Sequence, residues 1–197
     1  MHRTIFHSAA LCAFLRALSR LIFRVRGWRI EGMMPANALK CVMIAAPHTS
    51  NWDLPYTLMA AFVLRLPIYW LGKQSIFRPP FGGLMMWLGG IPVNRQQSTR
   101  LVAGTAAAIK EATGKLCLVV SPEGTRSRTR EWKSGFYFIA LEAELPIVMA
   151  YLDYARRVAG IGPVFVPTGD FERDMAAIKA FYTPIKGRKA ALFDSET

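Results

Sequence analysis

Two stretches of this chain are apolar without interruption, Cys41–Ala46 (CVMIAA) and Leu116–Val120 (LCLVV), and each runs at once into a polar loop. A strand with one wet face alternates apolar and polar residues, whereas an unbroken apolar run of this length demands cover on both faces. Shorter strands are expected at Trp28–Glu31, Pro67–Leu71, Ile91–Val93 and Pro146–Leu152. Helical patterns occupy Leu54–Arg65, Ser98–Lys110, Ser134–Glu144 and Asp170–Tyr182. The first is entered through the capping candidates Thr49, Ser50 and Asn51 and ended by Pro67, and the second starts at the capping candidate Ser98. Strands alternating with helices predict an α/β fold: a single domain with a mostly buried mixed sheet flanked by helices.

No repeat, low-complexity tract or long linker interrupts residues 27–185, which are expected to form one compact unit; residues 186–197 read as a loose tail. The run Pro79–Asn94 holds three prolines and four glycines, so no helix is expected there. No segment offers the roughly 20 apolar residues that a membrane-spanning helix needs. With 52% apolar and 19% charged residues in 197, disorder is excluded as the main state. Lys and Arg number 25 against 13 Asp and Glu, and the net charge of +12 predicts an anionic partner such as phosphate groups, nucleic acid or a membrane surface. The absence of RNP, zinc-finger and helix-turn-helix patterns argues against nucleic acid. The three cysteines, Cys12, Cys41 and Cys117, form no CxxC, which argues against a disulfide framework or zinc site and fits a reducing compartment. Two of the three histidines stand at positions 2 and 7, so no metal centre is expected.

Residues 4–26 predict one basic amphipathic helix. Leu11, Leu15, Leu18, Ile22 and Val25 form a face, reinforced by Phe14 and Leu21, while Arg16, Arg20 and Arg24 recur on another flank. Such a helix lies in a lipid headgroup region with its arginines on phosphates, or packs on the domain with its arginines in water. A signal peptide is disfavoured: the uncharged stretch Ser8–Leu15 is short, and no small-x-small cleavage site follows.

Three sets of residues carry candidate chemistry. Directly after the first apolar run come Pro47-His48-Thr49-Ser50-Asn51-Trp52-Asp53. On a continuous helix His48 and Asp53 would point about 140° apart; they meet only if His48 sits in the turn and Asp53 in the first helical turn behind it. A carboxylate on one imidazole nitrogen fixes the tautomer and makes the other a base, with no GxSxG nucleophile to serve. The plainer alternative is a helix-start carboxylate and a loop histidine. Directly after the second run, Ser121-Pro122-Glu123-Gly124-Thr125-Arg126-Ser127-Arg128 offers a close-approach glycine with hydroxyl and guanidinium donors, suited to phosphate or simply a solvated turn. Between them Lys73, Phe77, Arg78, Pro79, Gly82 and Arg95 place cations about an oily stretch containing Phe81, Leu84, Met85, Met86 and Trp87. It is either a rim beside an apolar surface or a core-packed loop.

In this order the three sets resemble the signature blocks of the glycerolipid acyltransferases, the lysophosphatidic acid acyltransferase (PlsC-like) family. His48-x4-Asp53 resembles the first block, Lys73…Phe77…Pro79…Gly82…Arg95 the second, and Glu123-Gly124-Thr125-Arg126 the third. Leu145–Ala150 resembles the fourth, with Met149 where a second proline is common. The match runs from about residue 27 to 152.

The resemblance implies that His48, held by Asp53, deprotonates a lipid hydroxyl that attacks the thioester of acyl-ACP or acyl-CoA, needing neither metal nor cofactor. It also implies that Arg126, with Arg95 or Lys73, holds the acceptor's phosphate, that Glu123, with Gly124 and Thr125, supports that pocket, and that Phe77 belongs to the acceptor site. Backbone amides near Gly124 become candidates for the oxyanion hole. Lysophosphatidic acid is the default acceptor; an aminoacyl lysolipid or glycerol 3-phosphate is an alternative. The expected location is peripheral, on the cytoplasmic side of the membrane. The rival from another class is a noncatalytic membrane-surface protein that binds anionic lipid.

Overall fold

The computed structural model describes residues 1–93, 98–129 and 131–193. Seven strands form one sheet: β1 (Arg29–Glu31), β2 (Lys40–Ala46), β3 (Ile68–Lys73), β4 (Gly90–Val93), β5 (Leu116–Val120), β6 (Ile147–Asp153) and β7 (Val158–Phe165). Their order is β1-β7-β6-β2-β5-β3-β4, and every pairing is parallel except β6 with β7. The two unbroken apolar runs are thus the central strands β2 and β5. Val42, Ile44 and Ala46 point into one layer and Cys41 and Met43 into the other, the period of two that a strand imposes.

The first layer is covered by α4 (Ser98–Glu111), α5 (Gly135–Ala143) and α6 (Phe171–Tyr182), with Ile109, Phe136, Tyr137, Ile178 and Tyr182 fully buried. The second is covered by α2 (Asp53–Leu64), over which α1 (Ala9–Val25) lies. Two helices end alike: α2 on Arg65 and α5 on Glu144, each in the left-handed region and each followed by Leu-Pro. The left-handed residue closes the last turn and the proline bars its continuation, so the chain enters β3 and β6 directly.

The N-terminal segment departs from a single helix. A short 3-10 turn, Ile5–His7, precedes α1, and Ser8 caps α1 by accepting a hydrogen bond from Leu11 N–H. The face expected from spacing divides in two. Leu11, Leu15 and Ile22 turn inward with buried Phe23, while Phe14, Leu18, Leu21 and Val25 remain exposed, Phe14 by 63% and Val25 by 76%. A helix with one docked stripe and one bare stripe carries more apolar surface than the domain alone requires.

Two further expectations are corrected, and one strand is added. The run after Pro79 contains a helix, α3 (Gly82–Trp87), short enough to fit between Pro80 and Gly89. Strand β7 was hidden by Gly160, Gly162 and Pro163, which weaken a strand pattern. The glycines are required there because a Cβ at Gly160 would lie 2.1 Å from Cζ of Tyr151, and one at Gly162 would lie 2.4 Å from Cζ of Phe181. Finally, residues 186–193 are held in place. Lys186 O accepts from Tyr154 N–H, Lys189 N–H donates to Thr49 Oγ1, and Phe193 packs near Trp132. Residues 194–197 lie outside the described residues.

Cys41 and Cys117 face each other across β2 and β5 as buried free thiols. The hydrogen bond between them, reinforced by burial, pushes the Cys41 thiol up. No helix among the described residues is long and apolar enough to cross a membrane.

Candidate functional site

Strands β6, β2, β5 and β3 are neighbours and run parallel, so their carboxyl ends open on one side of the sheet. In such sheets the crevice beyond the strand ends is where ligands bind. At those ends stand Tyr154 after β6, His48 after β2, Glu123 after β5 and Lys73 as the last residue of β3.

His48 lies in the turn after β2, and Asp53 is the first residue of α2. His48 Nδ1 sits 3.1 Å from Asp53 Oδ2, the meeting that the sequence allowed only in this geometry. The loop wraps around the carboxylate: Thr49 N–H and Ser50 N–H both donate to Oδ2 at 2.9 Å. Asp53 is 4% exposed, so these bonds compensate for the lost hydration of a buried anion. The expected capping residues act differently from a simple cap, since Ser50 Oγ accepts from Trp52 N–H and α2 begins at Asp53. With Nδ1 engaged by Asp53, Nε2 is the nitrogen of His48 available to a substrate.

Glu123 is turned to the backbone of the His48 loop. Both its carboxylate oxygens lie 2.9 Å from His48 N–H, which donates to them. The side chain is buried, and burial pushes its carboxyl up to about 8, opposed by the His48 N–H and assisted by the charge of Asp53. Two acidic groups therefore bracket His48, one on its ring and one on its backbone.

Gly124 has φ +64°, a turn conformation that glycine adopts without strain. Its N–H closes that turn by donating to Ser121 O at 3.1 Å. Gly124, Thr125 and Arg126 line the cavity described below; the Thr125 hydroxyl accepts from Ser127 N–H. Lys73 also lines it, at the end of β3. Phe77 does not: it stacks on Trp70 with ring centroids 5.6 Å apart and fills the space left by Gly72 and Gly90, which fastens the turn Gln74–Phe77 to the sheet. Arg95 lies outside the described residues, as does the side chain of Ser98.

The cavity has a volume of about 810 Å³. Of its polar lining, Asn51, Lys73, Ser75, Thr125, Arg126 and Ser127 are exposed and His48 is half-buried. The apolar part of the lining, Ala45, Ala61, Leu64, Leu66, Ile68 and Ile161, is buried or half-buried between α2 and the sheet. Exposed polar groups together with a buried apolar lining in a pocket of this size suit a ligand with a polar head and an oily tail. Among the described residues no cluster of three His, Cys, Asp or Glu gathers to hold a metal.

Sequence reasoning missed Tyr154. Its hydroxyl donates to Asp53 Oδ1 at 2.7 Å, and its ring meets Trp28 edge-on at 5.0 Å. A tyrosine just beyond the end of a strand parallel to β2 was the available signal. Asp153 and Thr168, which carried no assignment, are structural. Asp153 Oδ1 accepts from Ala155 and Arg156 N–H in the β6–β7 turn, and Thr168 hydrogen-bonds Asp174. Arg188 lies over the Trp52 ring, 5.2 Å from its centroid, at the edge of the His48–Asp53 loop.

Residues 28–152 match the profile of the Acyltransferase family. The chain is similar to the 1-acyl-sn-glycerol-3-phosphate acyltransferase of Salmonella typhimurium, with 30% identity over 129 residues covering 62% of this chain and 51% of that protein. The enzyme of the same name from Escherichia coli K12 is 30% identical, with the same coverage of 62% and 51%. That of Limnanthes alba is 36% identical over 65% of this chain and 46% of its own length. The chain thus spans about half the length of these relatives. In overall fold it resembles the crystal structure of the 1-acyl-sn-glycerophosphate (LPA) acyltransferase from Thermotoga maritima, with a TM-score of 0.60 at 14% identity over 91% of this chain and 81% of that one.

Proposed function

The chain belongs to the Acyltransferase family, and from that premise we propose that it transfers a fatty acyl group from a thioester, acyl-ACP or acyl-CoA, to the free hydroxyl of lysophosphatidic acid. The observation that carries this reading is the His48–Asp53 contact of 3.1 Å, set in the lining of a cavity of about 810 Å³ that exposed Arg126 and Lys73 also line. The relatives' names supply the acceptor, and the site's chemistry is compatible with it.

In the proposed reaction Nε2 of His48 takes the proton of the acceptor hydroxyl as its oxygen attacks the thioester carbonyl. Asp53 holds the ring in the required tautomer and offsets the imidazolium charge. The tetrahedral intermediate then collapses, the C–S bond breaks, and His48 returns the proton to the departing thiolate. The products are an ester and a free thiol, with no net proton change. A positioned base contributes about 10²–10⁴-fold; the rest of the acceleration comes from holding two bound substrates in line. Arg126 and Lys73 bind the acceptor phosphate through charge-assisted hydrogen bonds, and the apolar part of the lining takes an acyl chain.

The same reading places the protein at a membrane surface, peripheral and on the cytoplasmic side. The bare stripe Phe14, Leu18, Leu21 and Val25 supports this, together with exposed Phe81, Leu84, Met86 and Trp87 on and beside α3. Removing a long chain from a bilayer costs about 0.8 kcal/mol per CH₂, so an enzyme resting on the leaflet need not extract its acceptor into water.

The test offers the purified protein a labelled acyl thioester with a panel of lysolipids and glycerol 3-phosphate, and analyses the products by mass spectrometry. Phosphatidic acid formed from lysophosphatidic acid is expected. Lipid binding without turnover on any acceptor would favour the noncatalytic lipid-binding alternative instead.

A further inference from the structure

We propose that Tyr154 is a positioning residue for acyl transfer, acting through Asp53 to fix the His48 ring. The inference rests on the function proposed above. A carboxylate held through one oxygen keeps considerable freedom about its terminal torsion, whose energy profile is broad. Asp53 receives Thr49 N–H, Ser50 N–H and the His48 ring on Oδ2, and all three tolerate some rocking of the group about that oxygen. The Tyr154 hydroxyl reaches Oδ1 at 2.7 Å and pins the opposite end. The plane of the carboxylate, and with it the direction in which the His48 ring is drawn, is then set from two sides.

Tyr154 is itself well held. Its ring meets Trp28 at 5.0 Å and Tyr56 at 5.9 Å, both edge-on, and its N–H donates to Lys186 O. The turn that follows is tied by Asp153 to Ala155 and Arg156. Burial, and then the hydrogen bond to Asp53, push the phenol well above its ordinary range, with Arg188 opposing, so it stays a neutral donor wherever an imidazole base can work. The other titratable groups about the pair are Glu123, behind His48, and Tyr56, on α2.

The deciding variant is Tyr154→Phe, which keeps the ring between Trp28 and Tyr56 and removes only the hydroxyl. The kcat is expected to fall roughly 10-fold, with KM for thioester and acceptor unchanged. The acid-side midpoint of the kcat profile is expected to move to higher pH, because an undonated carboxylate offers more negative charge to the protonated ring. In an Asp53→Asn background the same substitution should cost nothing further, as residues acting through one another are non-additive. Wild-type kcat with an unmoved pH profile would overturn the proposal. So would a loss that persists undiminished beside Asp53→Asn, or one that disappears when the assay is cooled below a lowered thermal midpoint. If the unaltered protein turns over no thioester, the proposed function fails, and NMR of the His48 Nδ1 proton still decides whether Tyr154 fixes the His48 ring through Asp53. That resonance is expected to broaden by solvent exchange in Tyr154→Phe, and an unchanged resonance would overturn it.

Discussion

Glu123→Gln isolates the electrostatic consequence of placing a second carboxyl behind His48. Glu123 is 5% exposed, and burial pushes its carboxyl from an ordinary 4.5 up to about 8. Below pH 4.5 both folded and unfolded chains hold the proton, and the fold carries no penalty from this group. Between 4.5 and 8 the folded chain retains a proton that the unfolded chain has released, so stability falls as pH rises. Each pH unit is worth about 1.4 kcal/mol, and the whole window on the order of 5 kcal/mol. Glutamine has nothing to ionise, yet its amide oxygen can still accept the His48 N–H that Glu123 now receives at 2.9 Å. Its fixed cost, an amide NH₂ in a buried place, does not vary with pH.

Urea unfolding of both proteins at pH 5, 6, 7 and 8 is the assay. The stability of Glu123→Gln minus that of the unaltered protein should rise with pH, by up to about 4 kcal/mol from pH 5 to 8. Parallel pH curves for the two proteins would refute the reasoning, because they would mean that Glu123 is ionised in the fold at no cost.

Other expectations concern substrate and surface. Arg126→Ala should raise KM for a phosphate-bearing acceptor roughly 10-fold or more, the worth of a charge-assisted bond, and leave a neutral lysolipid unaffected; equal effects on both would remove Arg126 from the phosphate site. Ala60 lines the cavity. In Ala60→Phe, displacing three or four methylenes should cut kcat/KM for long acyl chains roughly 100-fold relative to short ones, and an unaltered chain-length profile would place the acyl chain elsewhere. Phe14→Ser with Leu21→Ser should weaken sedimentation with anionic vesicles while leaving the thermal midpoint intact. This pair is a cleaner probe than deleting residues 1–26, because buried Ile5 and Phe23 make that segment part of the core.

What the sequence disclosed follows from how local each signal is. The two apolar runs gave the central strands, since burial on both faces is written into consecutive residues. The His48–Asp53 pairing was legible because only one local geometry brings a five-residue separation into contact, and the structure adopts it. Interactions between distant segments left little trace. Glu123 was read as support for a phosphate pocket, and its bond to a backbone N–H 75 positions away depends on β2 lying beside β5. Tyr154 meets Asp53 from 101 positions away through the return of β6 beside β2. Phe77 carries a spacing suited to a site, yet Gly72 and Gly90 open a slot that its ring fills instead. The segment after Ile185 is polar and looks unstructured by composition, but buried Gly187 lets it lie against Pro47 and Thr49, where a Cβ would come within 2.8 Å of the Thr49 hydroxyl oxygen.

The central claim is that His48 acts as the base in acyl transfer. It is tested most directly by single-turnover kinetics of the unaltered chain and of His48→Ala, with labelled acyl thioester and lysophosphatidic acid on vesicles. The account expects phosphatidic acid and free thiol from the first and a rate at least about 100-fold lower from the second, with lipid binding retained. Equal rates from the two proteins would contradict it.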